Sequence, residues 1–195
     1  MIIAATFTIV KRSDLKIKYM LVPSVLGLLS NVIINGAVFA LLLLDTKQFF
    51  SARYLIPITG MMVGNCLSSA IIGLRSFYNT LKKEEEKYKY FLACGATKNE
   101  SLSIFFTEAL KSAFSPTIAS TATIGLIWLP GMMTGQILGG SDPLIAIKYQ
   151  IMIVIAIFVG GVLTVYVSLM ISKRFAFSDY SMLVEDIFKE KKQKK

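Results

Sequence analysis

Four apolar runs without a single charge divide the chain: residues 19–44, 54–74, 112–141 and 149–172. A helix needs about 20 mainly apolar residues to cross the hydrocarbon core of a bilayer, so each run predicts a transmembrane helix. A fifth apolar run, MIIAATFTIV at residues 1–10, would reach only about 15 Å as a helix, roughly half of that core. It lacks the basic segment that leads a signal peptide. It reads as the tail of a span that starts upstream. The expected fold is therefore all-α: a polytopic transmembrane bundle of four full spans plus one partial N-terminal span. The membrane domain is placed at residues 1–175, lacking earlier spans, and a basic cytoplasmic tail at residues 176–195.

The polar segments between the runs give the orientation. Lys and Arg number four in residues 11–18, two in 45–53, seven in 75–111, one in 142–148 and seven in 173–195. Alternate segments thus carry eighteen against three, which puts the first, third and fifth in the cytoplasm. The C-terminal KEKKQKK then lies inside, as a solvated basic tail near anionic lipid.

Residues 75–111 form the one sizeable polar segment. Phe77, Tyr78, Leu81, Tyr88, Phe91 and Leu92 recur at helical spacing, so the span from Tyr54 is expected to continue as a helix beyond the bilayer. Gly95 is suited to end it in a left-handed conformation. Thr97 and Glu100 then form a T-x-x-E capping box for a second helix. Leu102, Phe105, Phe106, Ala109, Leu110 and Ala113 line one face of that helix, which predicts an amphipathic, interfacial element ended by Pro116. The segment reads as a helix, a tight turn and a surface helix, either a plain connector or a docking surface.

One hexapeptide recurs. GMMVGN at Gly60, Met61, Met62, Gly64 and Asn65 returns as GMMTGQ at Gly131, Met132, Met133, Gly135 and Gln136, each shortly after a proline, Pro57 or Pro130. With the two spans running in opposite directions, both copies fall at similar depth in the outer half of the bilayer. Glycines four apart let helices approach closely, and Gly139 extends the second series. Two readings stand: a helix-packing face, or a substrate path with thioether and amide groups. Pro130 is placed to kink its helix. Asp142 and Pro143 suit the cap and first position of the last span.

Composition agrees with the pattern and narrows the chemistry. Charged residues make up 17% of the 195, against about 25% in soluble domains. The net charge of +9 follows from membrane topology and gives no reason to invoke nucleic acid. Cys66 falls in a span and Cys94 in the cytoplasmic loop, so both are expected to be reduced. Histidine is absent, which removes the commonest general base and metal ligand. No phosphate-binding loop, hydrolase elbow or zinc motif occurs, so no catalytic residue, metal site or cofactor is expected in this chain. No predicted full span carries a charged residue, which argues against secondary transport.

ARYLIPITGMMVGN, CGATKNES with its following amphipathic helix, and GLIWLPGMMTGQILGGSDPLIAIKYQI resemble a family of small ABC-transporter membrane subunits. Its bacterial members are associated with iron export and its plant relatives with aluminium tolerance and nucleotide-sugar movement. The resemblance covers roughly residues 52–172. It implies a separately encoded ATPase that binds the ATP, a homodimer of the membrane subunit, and coupling through Leu92, Ala93, Gly95, Ala96 and Thr97. The Glu-Ala-Ala triplet of the ABC coupling turn is absent. The expected function is the permease subunit of an exporter linked to metal homeostasis, in the cell membrane with a cytoplasmic C-terminus. The alternative is a non-transport scaffold that recruits a regulator through residues 75–111.

Overall fold

The structure, a computed structural model, describes residues 1–38, 52–125, 130–178 and 181–188. Among these the architecture is all-helical: α1 (Ile2–Arg12), α2 (Ile17–Val38), α3 (Ala52–Lys83), α4 (Glu85–Ala93), α5 (Lys98–Thr123), α6 (Gly131–Leu138) and α7 (Pro143–Ala176), then one 3-10 turn at Glu185–Ile187. The end of the first expected span (residues 39–44), most of the segment after it (45–51), Leu129 before the second hexapeptide and the KEKKQKK tail lie outside the described residues.

Two of the described helices, α2 and α7, are long and apolar enough to cross a membrane. At 34 residues, α7 is about 51 Å long, well beyond a hydrocarbon core of about 30 Å. Its start follows from local chemistry: the Asp142 carboxylate accepts a hydrogen bond from the Leu144 N–H at 2.8 Å, and Pro143 occupies the first turn. Around α7 pack α2, α3, α5 and α6, while α1 packs on α2 and α3.

The tightest approach joins α2 to α7, and it runs through small and polar residues. A β-carbon on Gly27 would lie 2.1 Å from Ser168 Oγ and 2.7 Å from the Thr164 carbonyl oxygen; one on Gly160 would lie 2.3 Å from Asn31 Oδ1. Asn31 and Asn35, one helical turn apart, are buried. The Asn35 amide donates to Asn31 Oδ1 at 2.6 Å, and the Asn31 amide donates to Cys66 Sγ of α3 at 3.0 Å. Three helices therefore meet at one buried amide. Burying such a group is unfavourable unless it is hydrogen-bonded, so the register that pairs Asn31 is strongly preferred. Gly73 of α3 closes on Val165 of α7, with 2.7 Å between its would-be β-carbon and Cγ1.

Two expectations are corrected. The surface helix was to end at Pro116, but α5 continues through it to Thr123. Proline removes one backbone hydrogen bond from a helix. Here Leu102, Phe105, Ala109 and Ala113 are buried against neighbours and hold the preceding turns in place. Pro23 is likewise accommodated inside α2. Residues 112–141 were also to form one span. Instead the backbone leaves the helix at Ile124, Gly125 takes a φ of +83°, and the next described helix starts at Gly131 with Pro130 extended as its N-cap. The breaker residues do break the helix.

The close contact expected at the hexapeptides is not made among the described residues. A β-carbon on Gly64, Gly131 or Gly135 would meet nothing within 4 Å, and one on Gly60 would meet only the tip of Met1 at 3.4 Å. Gly139 is not on the helix face but caps its C-terminus.

These environments predict opposite responses. In detergent-solubilised protein, Gly160→Ala should lower stability by about 1–3 kcal/mol, because its methyl displaces Asn31. Gly135→Ala should leave stability unchanged or raise it by about 0.5–1 kcal/mol. Denaturant unfolding of the two variants measures this; equal losses would show that the α2–α7 contact is not the tight one.

Candidate functional site: a cavity between the two hexapeptides

α3, α5, α6 and α7 enclose a cavity of about 320 Å³. Met61 and Asn65 reach it from the first hexapeptide, Pro130, Gly131 and Met132 from the second. The two copies thus come together although they lie on separate helices. Met62, Ile153 and Ala156 form a small buried cluster behind them, against which Met61, Met132 and Ile157 pack. Gly60, Gly64, Met133, Gly135, Gln136 and Gly139 do not line the cavity.

The remaining walls come from Thr117, Ser120 and Thr121 of α5 and from Gln150, Val154 and Ile157 of α7. The hydroxyls of Ser120 and Thr121 donate to the Thr117 carbonyl at 2.9 and 2.8 Å, and the Asn65 amide donates to the Met61 carbonyl at 2.8 Å. Their oxygen lone pairs stay available as acceptors. Gln150 differs. It is buried, and its Oε1 has no hydrogen-bond partner among the described residues. A buried acceptor left unpaired costs about 1–3 kcal/mol. The donor set is thus two thioethers, side-chain amides and hydroxyls, with no ionisable group on the wall. Among the described residues, no three His, Cys, Asp or Glu side chains cluster as metal ligands. Its described walls offer soft sulfur and neutral oxygen to a solute.

Far from the cavity, α5 begins at a tight turn. Gly95 has a φ of +88°; its N–H donates to the Leu92 carbonyl at 3.0 Å, and the Ala96 N–H donates to the Phe91 carbonyl at 3.1 Å. This pair of bonds is a Schellman closure of α4. Thr97 then caps α5: its Oγ1 accepts from the Glu100 N–H at 3.4 Å, while the Glu100 carboxylate accepts from the Thr97 N–H at 2.7 Å. That pairing with Thr97 holds the Glu100 carboxyl below the usual carboxylate range. Leu92 and Ala96 are half-buried, whereas Ala93, Gly95 and Thr97 are exposed. Cys94 is exposed and Cys66 buried, both as free thiols.

The first part of the expected tail is folded against this turn. The Val184 N–H donates to the Ala176 carbonyl at 3.0 Å, and Phe177 and Leu183 pair across an antiparallel bridge. The Tyr88 hydroxyl donates to the Ser181 carbonyl at 2.7 Å. Further on, the Lys16 N–H donates to the Ile187 carbonyl at 2.8 Å, and Lys16 pairs with Asp186. Ile187 is fully buried. The apolar Phe177, Leu183, Ile187 and Phe188 explain why residues 181–188 pack as a strap.

Sequence reasoning overlooked Asn31, Asn35, Thr164, Ser168 and Gln150. The signal was present: amides one turn apart inside an apolar run, and a Gly-Gly pair followed by Thr and Ser on one face of the last span.

Helices that bury polar groups against one another inside long apolar stretches define a membrane-embedded helical protein. The chain belongs to the family described as "Uncharacterised protein family (UPF0014)", which matches residues 1–177. It is 39% identical over 114 residues to UPF0014 membrane protein YjkA of Bacillus subtilis, covering 58% of this chain and 46% of that protein. It is 31% identical over 156 residues to the "Probable iron export permease protein FetB" of Escherichia coli, covering 80% and 60%. It is 39% identical over 115 residues to the protein ALUMINUM SENSITIVE 3 of Arabidopsis thaliana, covering 59% and 42%. The chain thus spans about half the length of these curated relatives. No solved structure matches it significantly.

Hydrogen exchange tests the turn. Thr97→Ala should speed exchange of the Glu100 amide about fivefold, the equivalent of a lost cap of about 1 kcal/mol. Glu100 has a lowered pKa in the folded state, so its contribution is complete above the ordinary carboxylate pKa. It disappears as pH falls through the lowered value. Protection of the Thr97 amide should fall in that acid window and stay flat at neutral pH; a loss centred near pH 7 would contradict the assignment.

Proposed function

We propose that this chain is the membrane-spanning subunit of an ABC exporter, driven by a separately encoded ATPase that docks on residues 92–97. ATP is bound and hydrolysed on that partner, and this chain contributes no catalytic residue. Two copies of the membrane subunit form the transport unit in the cell membrane. The turn at Gly95 and the C-terminus face the cytoplasm, in keeping with the eighteen-to-three distribution of Lys and Arg. The glycine faces of α6 and α3, open within one chain, would meet the second copy.

One observation carries the reading: α5 is a single helix that starts at the exposed, doubly capped turn and ends in the cavity wall. At 26 residues it extends about 39 Å. A push on the turn would reach Thr117, Ser120 and Thr121 without a loose joint, and Ile124 and Gly125 supply a break just beyond. The name of the Escherichia coli relative supports a metal such as iron as the cargo, and the paired thioethers would offer it sulfur donors.

Two variants test the reading in vesicles that hold the chain and its ATPase. Ala93→Arg, at an exposed position, should reduce ATPase co-purification at least about tenfold, equivalent to about 1.4 kcal/mol, and should abolish ATP-dependent iron movement. Gln150→Leu removes an unpaired buried carbonyl, so it should leave the melting temperature unchanged or raise it while slowing transport. Full transport by both variants would sink the proposal. ATPase binding without any ATP-dependent iron movement in the unaltered protein would favour the scaffold.

A further inference from the structure

A second cleft opens at the end of the bundle opposite the methionine cavity. Its volume is about 480 Å³, and it is lined by Lys98 and Asn99 from the first turn of α5 and by Met170, Ile171, Lys173 and Arg174 from the last turns of α7. Among the described residues, three cations face it and no carboxylate does. The ion pairs found among the described residues lie elsewhere, at Lys16–Asp186, Arg75–Asp14, Lys87–Glu84 and Lys89–Glu85.

The cations are held in place by neutral partners. Lys98 Nζ donates to the Lys173 carbonyl at 3.3 Å and sits 4.4 Å from the centre of the Phe177 ring. Lys173 Nζ donates to Asn99 Oδ1 at 3.5 Å and sits 5.3 Å from the centre of the Phe106 ring. Carbonyl dipoles and ring faces orient an ammonium without cancelling its charge. Burial pushes the Lys98 pKa down; burial and then the nearby Lys98 charge push Lys173 down as well. Two like charges are thus kept close in a partly desolvated cleft, an arrangement that an entering anion relieves. The positive end of the α5 dipole adds to the same field.

We propose that this cleft binds the phosphodiester headgroup of an anionic phospholipid. The shared chemistry is a phosphate anion held by two ammonium groups, a guanidinium and the Asn99 amide. The lipid source is favoured by what adjoins the cleft. Tyr166 and Met170, two turns and one turn before Arg174 on the same face of α7, are 44% and 42% exposed. They form an apolar ridge that runs from the cationic end along the axis of a membrane-crossing helix. An acyl chain can follow that ridge while its phosphate occupies the cleft; a free phosphate would leave the ridge unused. The inference rests on membrane embedding and stands apart from the transport reading.

Native mass spectrometry of the full chain in detergent tests it, with titrations of phosphatidylglycerol, phosphatidylcholine and inorganic phosphate. Phosphatidylglycerol should be retained in preference to phosphatidylcholine. The triple variant Lys98→Gln/Lys173→Gln/Arg174→Gln should weaken that retention at least about tenfold, since each cation near a membrane surface contributes severalfold to anionic-lipid affinity. Arg174→Gln alone, an exposed change that leaves the helix contacts intact, should give a smaller loss. Lys18→Gln/Lys83→Gln/Lys111→Gln, with the same change in charge elsewhere, should have no effect. Equal retention by the first triple variant and the unaltered chain would overturn the proposal. Equal losses from both triple variants would also overturn it, by showing diffuse attraction. Displacement by inorganic phosphate at the lipid's concentration would reassign the cleft to a free phosphate, and displacement by polyglutamate to an acidic protein surface.

Discussion

The arrangement of the bundle depends on the glycine-lined contact between α2 and α7. Gly27 and Gly160 let the two backbones approach so closely that any side chain at either position would overlap Ser168 or Asn31. That closeness buries Asn31, and Asn31 in turn ties α3 through Cys66. In lipid, apolar side chains gain little by packing on each other rather than on acyl chains, so close backbone contact and interhelical hydrogen bonds carry the association. With α2, α3 and α7 fixed in register, α5 can pack only against the faces of α3 and α7 that remain, which places its two ends.

Those two ends are the poles of the proposed function. One is a rigid turn, closed by paired backbone bonds at Gly95 and capped by Thr97 and Glu100. The other is the wall of a cavity where both methionine-bearing hexapeptides converge. The strap of residues 181–188 adds a third connection, from Tyr88 beside the turn to Lys16 between α1 and α2. In the proposed mechanism, a displacement of the turn would act on α5. Just beyond that wall the backbone leaves the helix at Ile124 and Gly125.

Much of this was legible in the sequence. The helical class, the continuation of α3 beyond its apolar run to Lys83 (though not unbroken to Gly95, since the helix is interrupted at Glu84), the Gly95 closure, the capping box and the Asp142-Pro143 start are local features, set by residues within a few positions of each other. Such signals survive folding because their partners are covalent neighbours. The misreadings arose where long-range packing decides. Pro116 reads locally as a stop, yet burial of Leu102, Phe105 and Ala109 keeps its helix intact. The hexapeptide glycines read as a packing face, yet the tight contact uses Gly27 and Gly160, whose spacing within their own helices is unremarkable. The role of Asn31 depends on Cys66, 35 positions away, and no periodicity reveals such a pair. For the same reason the cavity was only half legible. Met61, Asn65, Pro130, Gly131 and Met132 were marked by repetition, whereas Gln150 and the α5 hydroxyls carry no repeat.

The central claim is that α5 conveys motion from the exposed turn to the cavity. The most direct measurement is the distance between spin labels at Ser120 of α5 and Val154 of α7, with exposed Cys94 replaced by serine, in the chain bound to its ATPase. Trapping the ATPase with nucleotide should shift that distance distribution, and Ala93→Arg should prevent the shift. An unchanged distribution while the bound ATPase turns over would contradict the account.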